Sequence, residues 1–219
     1  MTPGIRFVAI LALLASIVLA MGDAFADVSA EPYVGLQGGV FLWPAYSNRD
    51  EVEADTGPGF AWAMVGGLDL ESDDAKALPS LPPSRPLERL SGRLELEVGQ
   101  RFAGIHGIND GPLQQTGDGK TLRATSVQLN LWPAFRVASA LRVYAGGGGG
   151  GAWIRGLGSD KRVWSAQVGF GVLFDLPLRG HPVRLDLGWR SFFANSTKLR
   201  DALADFDAHG GTVGFQVGF

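Results

Sequence analysis

The chain alternates between apolar and polar residues again and again. From Arg89 to Phe102, Leu90, Gly92, Leu94, Leu96 and Val98 fall on one face, and Arg89, Ser91, Arg93, Glu95, Glu97, Gly99 and Arg101 on the other. A period of two is the signature of a strand; a helix would scatter the same residues around its circumference. The pattern recurs in Val183–Phe193, where Val183, Leu185, Leu187, Trp189 and Phe193 oppose Arg184, Asp186, Gly188 and Arg190. It recurs in Val163–Asp175 (Trp164, Val168, Phe170, Val172 and Phe174 against Ser165, Gln167, Gly169, Gly171 and Asp175), in Thr125–Leu131 and in Thr212–Phe219. Three further segments alternate less cleanly. Phe60–Leu70 sets Trp62, Met64 and Leu68 against Ala61, Ala63 and Asp69. Leu141–Trp153 sets Leu141, Val143 and Trp153 against Arg142 and Tyr144 around six consecutive glycines. Tyr33–Trp43 contains Gly38-Gly39, a pair able to hold a bulge that swaps faces and leaves Phe41 and Trp43 unassigned.

Eight strands of about 9 to 13 residues result. Soluble strands average about 5 to 6 residues, whereas a tilted membrane strand needs about 9 to 11. The predicted fold is therefore all-β: an eight-stranded antiparallel up-and-down transmembrane β-barrel. Residues 44–58, 103–120, 155–162 and 194–208 are expected as outer loops. Residues 71–88, 132–140 and 176–182 are expected as turns at the opposite end. The proline-bearing stretch 71–88 reads as an irregular insertion.

Alternation alone does not say which face is outside. The polar face is rich in small residues suited to a narrow lumen, while Leu, Phe, Val and Trp on the other face suit lipid. Trp62, Trp153 and Trp164 gather at the outer strand ends as an aromatic girdle, with Trp43 placed at the same height. Lysines are confined to the connections.

On this assignment the lumen carries Asp69, Glu95, Glu97, Asp175 and Asp186 against Arg93, Arg101, Arg142, Arg184 and Arg190. An unpartnered buried charge costs several kcal/mol by order of magnitude. Arginine forks suit carboxylates bidentately. The matched set predicts a salt-bridged plug, with a gated narrow pore as the alternative.

Composition narrows function further. The chain has 219 residues, 32 glycines and no cysteine, which excludes disulfides, thiolate metal sites and a cysteine nucleophile. A net charge of -3 gives no footprint for nucleic acid. Residues 1–26 read as a cleaved signal peptide, with Arg6, an apolar stretch from Phe7 to Met21 and the small-x-small site Ala24-Phe25-Ala26; residues 27–219 form the barrel domain. His106, His181 and His209 are read as loop or rim histidines. The pairing of His209 with Asp205 or Asp207, and Ser191 or Ser196 as nucleophile, is the weaker alternative. The acidic run Asp50, Glu51, Glu53 and Asp55 reads as a solvated loop, with a divalent-cation site as the weaker alternative. No catalytic, cofactor-binding or metal residue is expected.

Four stretches carry a resemblance: Pro32–Gly39, Val143–Gly148, Leu185–Arg190 and the terminal Val213–Phe219. With their order and the final Phe219, the chain resembles the small outer-membrane β-barrels of Gram-negative bacteria, OmpA-transmembrane-domain-like and opacity-protein-like. The resemblance implies an outer-membrane location among lipid, Phe219 as an assembly signal read by the barrel-assembly machinery, and surface loops able to bind a host or cell-surface ligand. It implies no single activity. A structural or surface-interaction role is expected, with a narrow solute channel or a lipid-modifying enzyme as alternatives.

Overall fold

The computed structural model describes residues 28–43, 46–47, 52–72, 90–110, 113–156, 159–178, 181–199 and 202–219. The expected signal peptide lies outside them, as do residues 73–89 of the proline-bearing stretch. Ten strands appear in chain order: β1 (Val28–Leu42), β2 (Tyr46–Ser47), β3 (Val52–Thr56), β4 (Gly59–Ser72), β5 (Leu90–Asp110), β6 (Leu113–Ala138), β7 (Leu141–Gly156), β8 (Ser159–Leu176), β9 (Val183–Leu199) and β10 (Ala202–Gly218). Eight of them, β1 and β4 to β10, each pair antiparallel with two neighbours. The ring closes where β1 meets β10, from Tyr33 opposite Gly218 to Leu42 opposite His209. Around the closed ring each stave has a neighbour on both sides, so its backbone N–H and C=O groups there are satisfied laterally.

The staves are longer than their apolar alternation. β5 has 21 residues and β6 has 26, so much of the expected outer loop 103–120 is a paired hairpin. Part of the first outer loop is likewise strand: β3 pairs with the end of β5, and β2 with β3. Cross-strand hydrogen bonding continues past the bilayer because it needs a partner strand, not an apolar face.

Three local expectations are corrected. Pairing runs unbroken through Gly38 and Gly39 on both sides of β1, so there is no bulge. Parity is kept, and Phe41 and Trp43 both point inward, 1% and 6% exposed; Trp43 thus leaves the girdle. The expected turn at 132–140 shrinks to Ser139-Ala140, because β6 continues through Trp132, Ala134 and Arg136 on the inward phase of Ser126, Gln128 and Asn130. The expected insertion at 71–88 begins later, because Glu71 and Ser72 still belong to β4, opposite Ser29 and Val28.

The bulky side chains of the inner face are matched by glycines. A Cβ on Gly171 would lie 2.6 Å from the Tyr144 hydroxyl, and one on Gly188 would lie 2.5 Å from it. Only a residue without a side chain admits Tyr144 at these two places.

Candidate functional site

The outer surface is apolar. Leu36, Met64, Leu96, Leu129, Phe170 and Phe215 are each more than half exposed, on staves all around the barrel. A continuous band of that kind is solvated by lipid and is otherwise an aggregation surface. Trp62, Trp153 and Trp164 lie on this outer face, 41%, 40% and 68% exposed. Phe219 is exposed at the other end, where its backbone N–H donates to the Pro32 carbonyl at 3.1 Å.

Inside, the ten expected charges all occupy inward positions, and they divide into tiers. At the end nearest the termini, Arg142 donates through Nη1 to both Asp69 oxygens at 3.2 and 2.9 Å, and through Nη2 to Asp175 at 3.0 Å. Arg184 reaches Asp69 at 2.6 Å, Asp175 at 3.1 Å and Glu31 at 3.8 Å. In the middle, Glu95 accepts from the Tyr33 hydroxyl at 2.9 Å and the Trp132 indole N–H at 3.0 Å. Asp186 accepts from Arg93 at 3.2 Å, from Tyr144 at 2.6 Å and from Gln216 at 3.2 Å.

Above them Glu97 is the hub. It accepts from Gln167 at 2.7 Å, Arg190 at 2.8 Å, Arg101 at 3.1 Å and Asn130 at 3.5 Å. Arg190 ties the hub to the middle tier through Glu95 at 3.7 Å. Three guanidinium faces also lie over rings: Arg93 over Tyr144 at 4.7 Å, Arg190 over Trp132 at 4.7 Å and Arg101 over Phe192 at 4.2 Å. Fork geometry and a planar face let each arginine use both kinds of contact in a narrow space, which lysine would not.

Sequence reasoning missed several members. Arg136 bridges Glu71 and Asp175. Arg136 and Trp132 continue the inward phase of β6, Glu71 that of Asp69, and Glu31 that of Tyr33. Carrying parity past Leu131 and Leu70 finds them. Also missed is an apolar layer across the outer end of the lumen, built from Phe41, Trp43, Leu122, Ile154 and Phe192 with small alanines between them. Between that layer and the hub is a cavity of about 20 Å³, lined by Gln37, Phe41, Glu97, Arg101 and Arg190. That is room for about one water molecule.

The two histidines with described side chains lie apart from the lumen. His181 is exposed at a turn. His209 points outward and meets Phe193 edge-on at 5.9 Å. Ser191 is its cross-strand partner. His106 falls on β5, and Glu53 and Asp55 on β3; Asp50 and Glu51 lie outside the described residues. Among the described residues no group of three or more His, Asp or Glu is placed to hold a metal ion.

No family model and no curated protein matches the sequence. Among solved structures the chain is similar to Neisserial surface protein A, at 16% identity and TM-score 0.49, covering 87% of this chain and 99% of that one. It is similar to Ail, the attachment invasion locus protein of Yersinia pestis, in complex with the heparin analogue sucrose octasulfate, at 14% identity and TM-score 0.44, covering 88% and 99%. It is also similar to the outer membrane protease OmpT from Escherichia coli, at 8% identity and TM-score 0.33, covering 89% and 97%.

Proposed function

We propose that this chain is an outer-membrane β-barrel with a structural or surface-interaction role, binding or adhering through its outer loops. The observation that carries the reading is a barrel turned inside out. Its exterior is an apolar belt, and its interior is filled by paired charges under an apolar layer. A filled lumen leaves the rim as the place to act. There β5 runs eight residues past Phe102 to Asp110, and β6 begins ten residues before Arg123 at Leu113; the two stay paired on either side of a register shift at Ile105–Gly107, over roughly 25 Å at about 3.3 Å per residue. An extension of this kind, standing beyond the ring, is a platform for recognition.

In this reading residues 1–26 are removed on export, the termini face the periplasm, and Phe219 is the group the barrel-assembly machinery reads. The interior arginines and carboxylates brace the wall instead of switching a pore, and the exposed tryptophans mark the bilayer interface.

The test is fractionation with surface proteolysis. The protein should need detergent for extraction, and protease added to intact cells should cut the 103–120 hairpin while sparing the 176–182 turn. Release into the soluble fraction without detergent refutes the membrane reading. Steady conductance of the refolded wild type in a planar bilayer would transfer the role to solute passage.

A further inference from the structure

A group of arginines lies on the outside of the barrel at the edge of the aromatic belt, with Arg162 level with Trp153 and with Arg155 and Arg123 one step beyond it. Trp153-Ile154-Arg155 on β7 and Arg162-Val163-Trp164 on β8 run antiparallel, with Trp153 directly opposite Arg162. Ile154 is wholly buried in the lumen, so Trp153 and Arg155 share the outer face. Each tryptophan therefore has an arginine about 7 Å farther from the bilayer centre along its own strand. The group continues sideways: Arg155 opposes Arg123 on β6, and Arg123 opposes Phe102 on β5. The Arg123 guanidinium lies over the Phe102 ring at 5.0 Å, and that ring stacks on Phe60 at 4.8 Å.

Two like charges directly opposite each other on adjacent strands destabilise a sheet unless an anion lies between them. Asp160, on the far side of Arg155, supplies one carboxylate at 2.8 Å. Among the described residues Arg123 and Arg162 have no acidic partner. The patch keeps a net surplus of two positive charges, at the height where the headgroups of a bilayer begin.

We propose that Arg123, Arg155 and Arg162 form a binding surface for a phosphate-bearing lipid headgroup of the outer leaflet, its acyl chains lying against Trp153, Trp164 and Val127. The inference rests on the membrane-barrel reading. It commits to a membrane lipid because the charges continue directly into the apolar belt: headgroup and chains are engaged by one stretch of wall. Juxtamembrane basic residues attract anionic lipid by about fivefold each, so a surplus of two charges corresponds to a preference of about 25-fold.

The test uses the full chain refolded into phosphatidylcholine vesicles doped with bromine-labelled phosphatidic acid or bromine-labelled phosphatidylcholine. Tryptophan quenching, read in a Trp62→Phe, Trp189→Phe background in every protein compared, reports which lipid lies beside Trp153 and Trp164. With the three arginines intact, half-maximal quenching should come at a mole fraction of labelled phosphatidic acid about 25-fold lower than that of labelled phosphatidylcholine. The triple variant Arg123→Gln, Arg155→Gln, Arg162→Gln should lose that preference, and the triple Arg→Lys variant should keep a large part of it. Equal quenching by the two lipids in wild type overturns the proposal, as does loss of the preference in the lysine variant to the level of neutral lipid. Millimolar inorganic phosphate abolishing the preference would show a site for the free ion instead of the lipid. A wild type that never acquires heat-modifiable gel mobility in any vesicle counts against the barrel reading itself.

Discussion

Replacing Glu97 with alanine tests whether the lumen is braced by its charges. The carboxylate is about 1% exposed and accepts four donors: Gln167, Arg190, Arg101 and Asn130. After its removal Arg101 keeps Ser126 at 2.8 Å and Gln167 at 3.3 Å, while Arg190 keeps only Glu95, at 3.7 Å. Removing one partner of a buried pair costs about 3 to 5 kcal/mol, because the remaining charge is left without compensation. Two guanidiniums are affected here, but both retain an aromatic face, and the space left by the side chain admits water. The expected loss is therefore about 3 to 5 kcal/mol, not twice that. An exposed ion pair is worth about 0 to 1 kcal/mol, so Asp160→Ala, which breaks the open Arg155–Asp160 bridge, is the internal control. The assay is equilibrium urea unfolding of protein refolded into lipid vesicles, read by tryptophan emission and gel mobility. A double-mutant cycle with Arg190→Met then isolates the pair, and its removal together should recover a large part of the loss. A Glu97→Ala protein within about 1 kcal/mol of wild type would refute the bracing argument, since it would place the network on the energetic scale of surface bridges.

Four further outcomes are expected. Gly188→Val should destabilise the barrel by about 1 to 3 kcal/mol through overpacking against the Tyr144 hydroxyl, with the loss reduced in a Tyr144→Ala background; equal urea midpoints of Gly188→Val and wild type would contradict it. Glu95→Gln with Glu97→Gln should loosen the middle tier and raise planar-bilayer conductance above wild type; unchanged conductance and unchanged heat-modifiable mobility would count against a braced lumen. In single-tryptophan variants, brominated neutral lipid should quench Trp62, Trp153 and Trp164 strongly and leave Trp132, which is 0% exposed, largely unquenched. The intact mass of protein from the membrane fraction should begin at Asp27, and a retained Met1 would show that residues 1–26 are not removed.

Much of the barrel can be read from alternation, because side-chain direction in a strand is set by the residue's own parity. Leu94, Leu96 and Val98 go to lipid, and Arg93, Glu95 and Glu97 to the lumen, whatever strands flank them. Apolar belt, polar interior and antiparallel staves follow from that single local rule. Parity reaches no further than the segment to which it is applied. Trp132, Arg136 and Glu71 fall within the expected turns because alternation of apolar residues ends near them, while the hydrogen-bonded ladder continues.

What the chain determined alone is which side of the wall each strand residue faces. Only closure decided the rest. Glu97 lies within hydrogen-bond reach of Arg190 and Gln167 because β5 faces β8 and β9 across a lumen narrow enough for their side chains to meet. That distance depends on ring size and register, which involve all eight staves at once. Trp43 and Phe41 enter the lumen because β1 is held on both sides through Gly38 and Gly39, a constraint two other strands impose. Charge inventory is a local property. Charge pairing is a property of the closed ring.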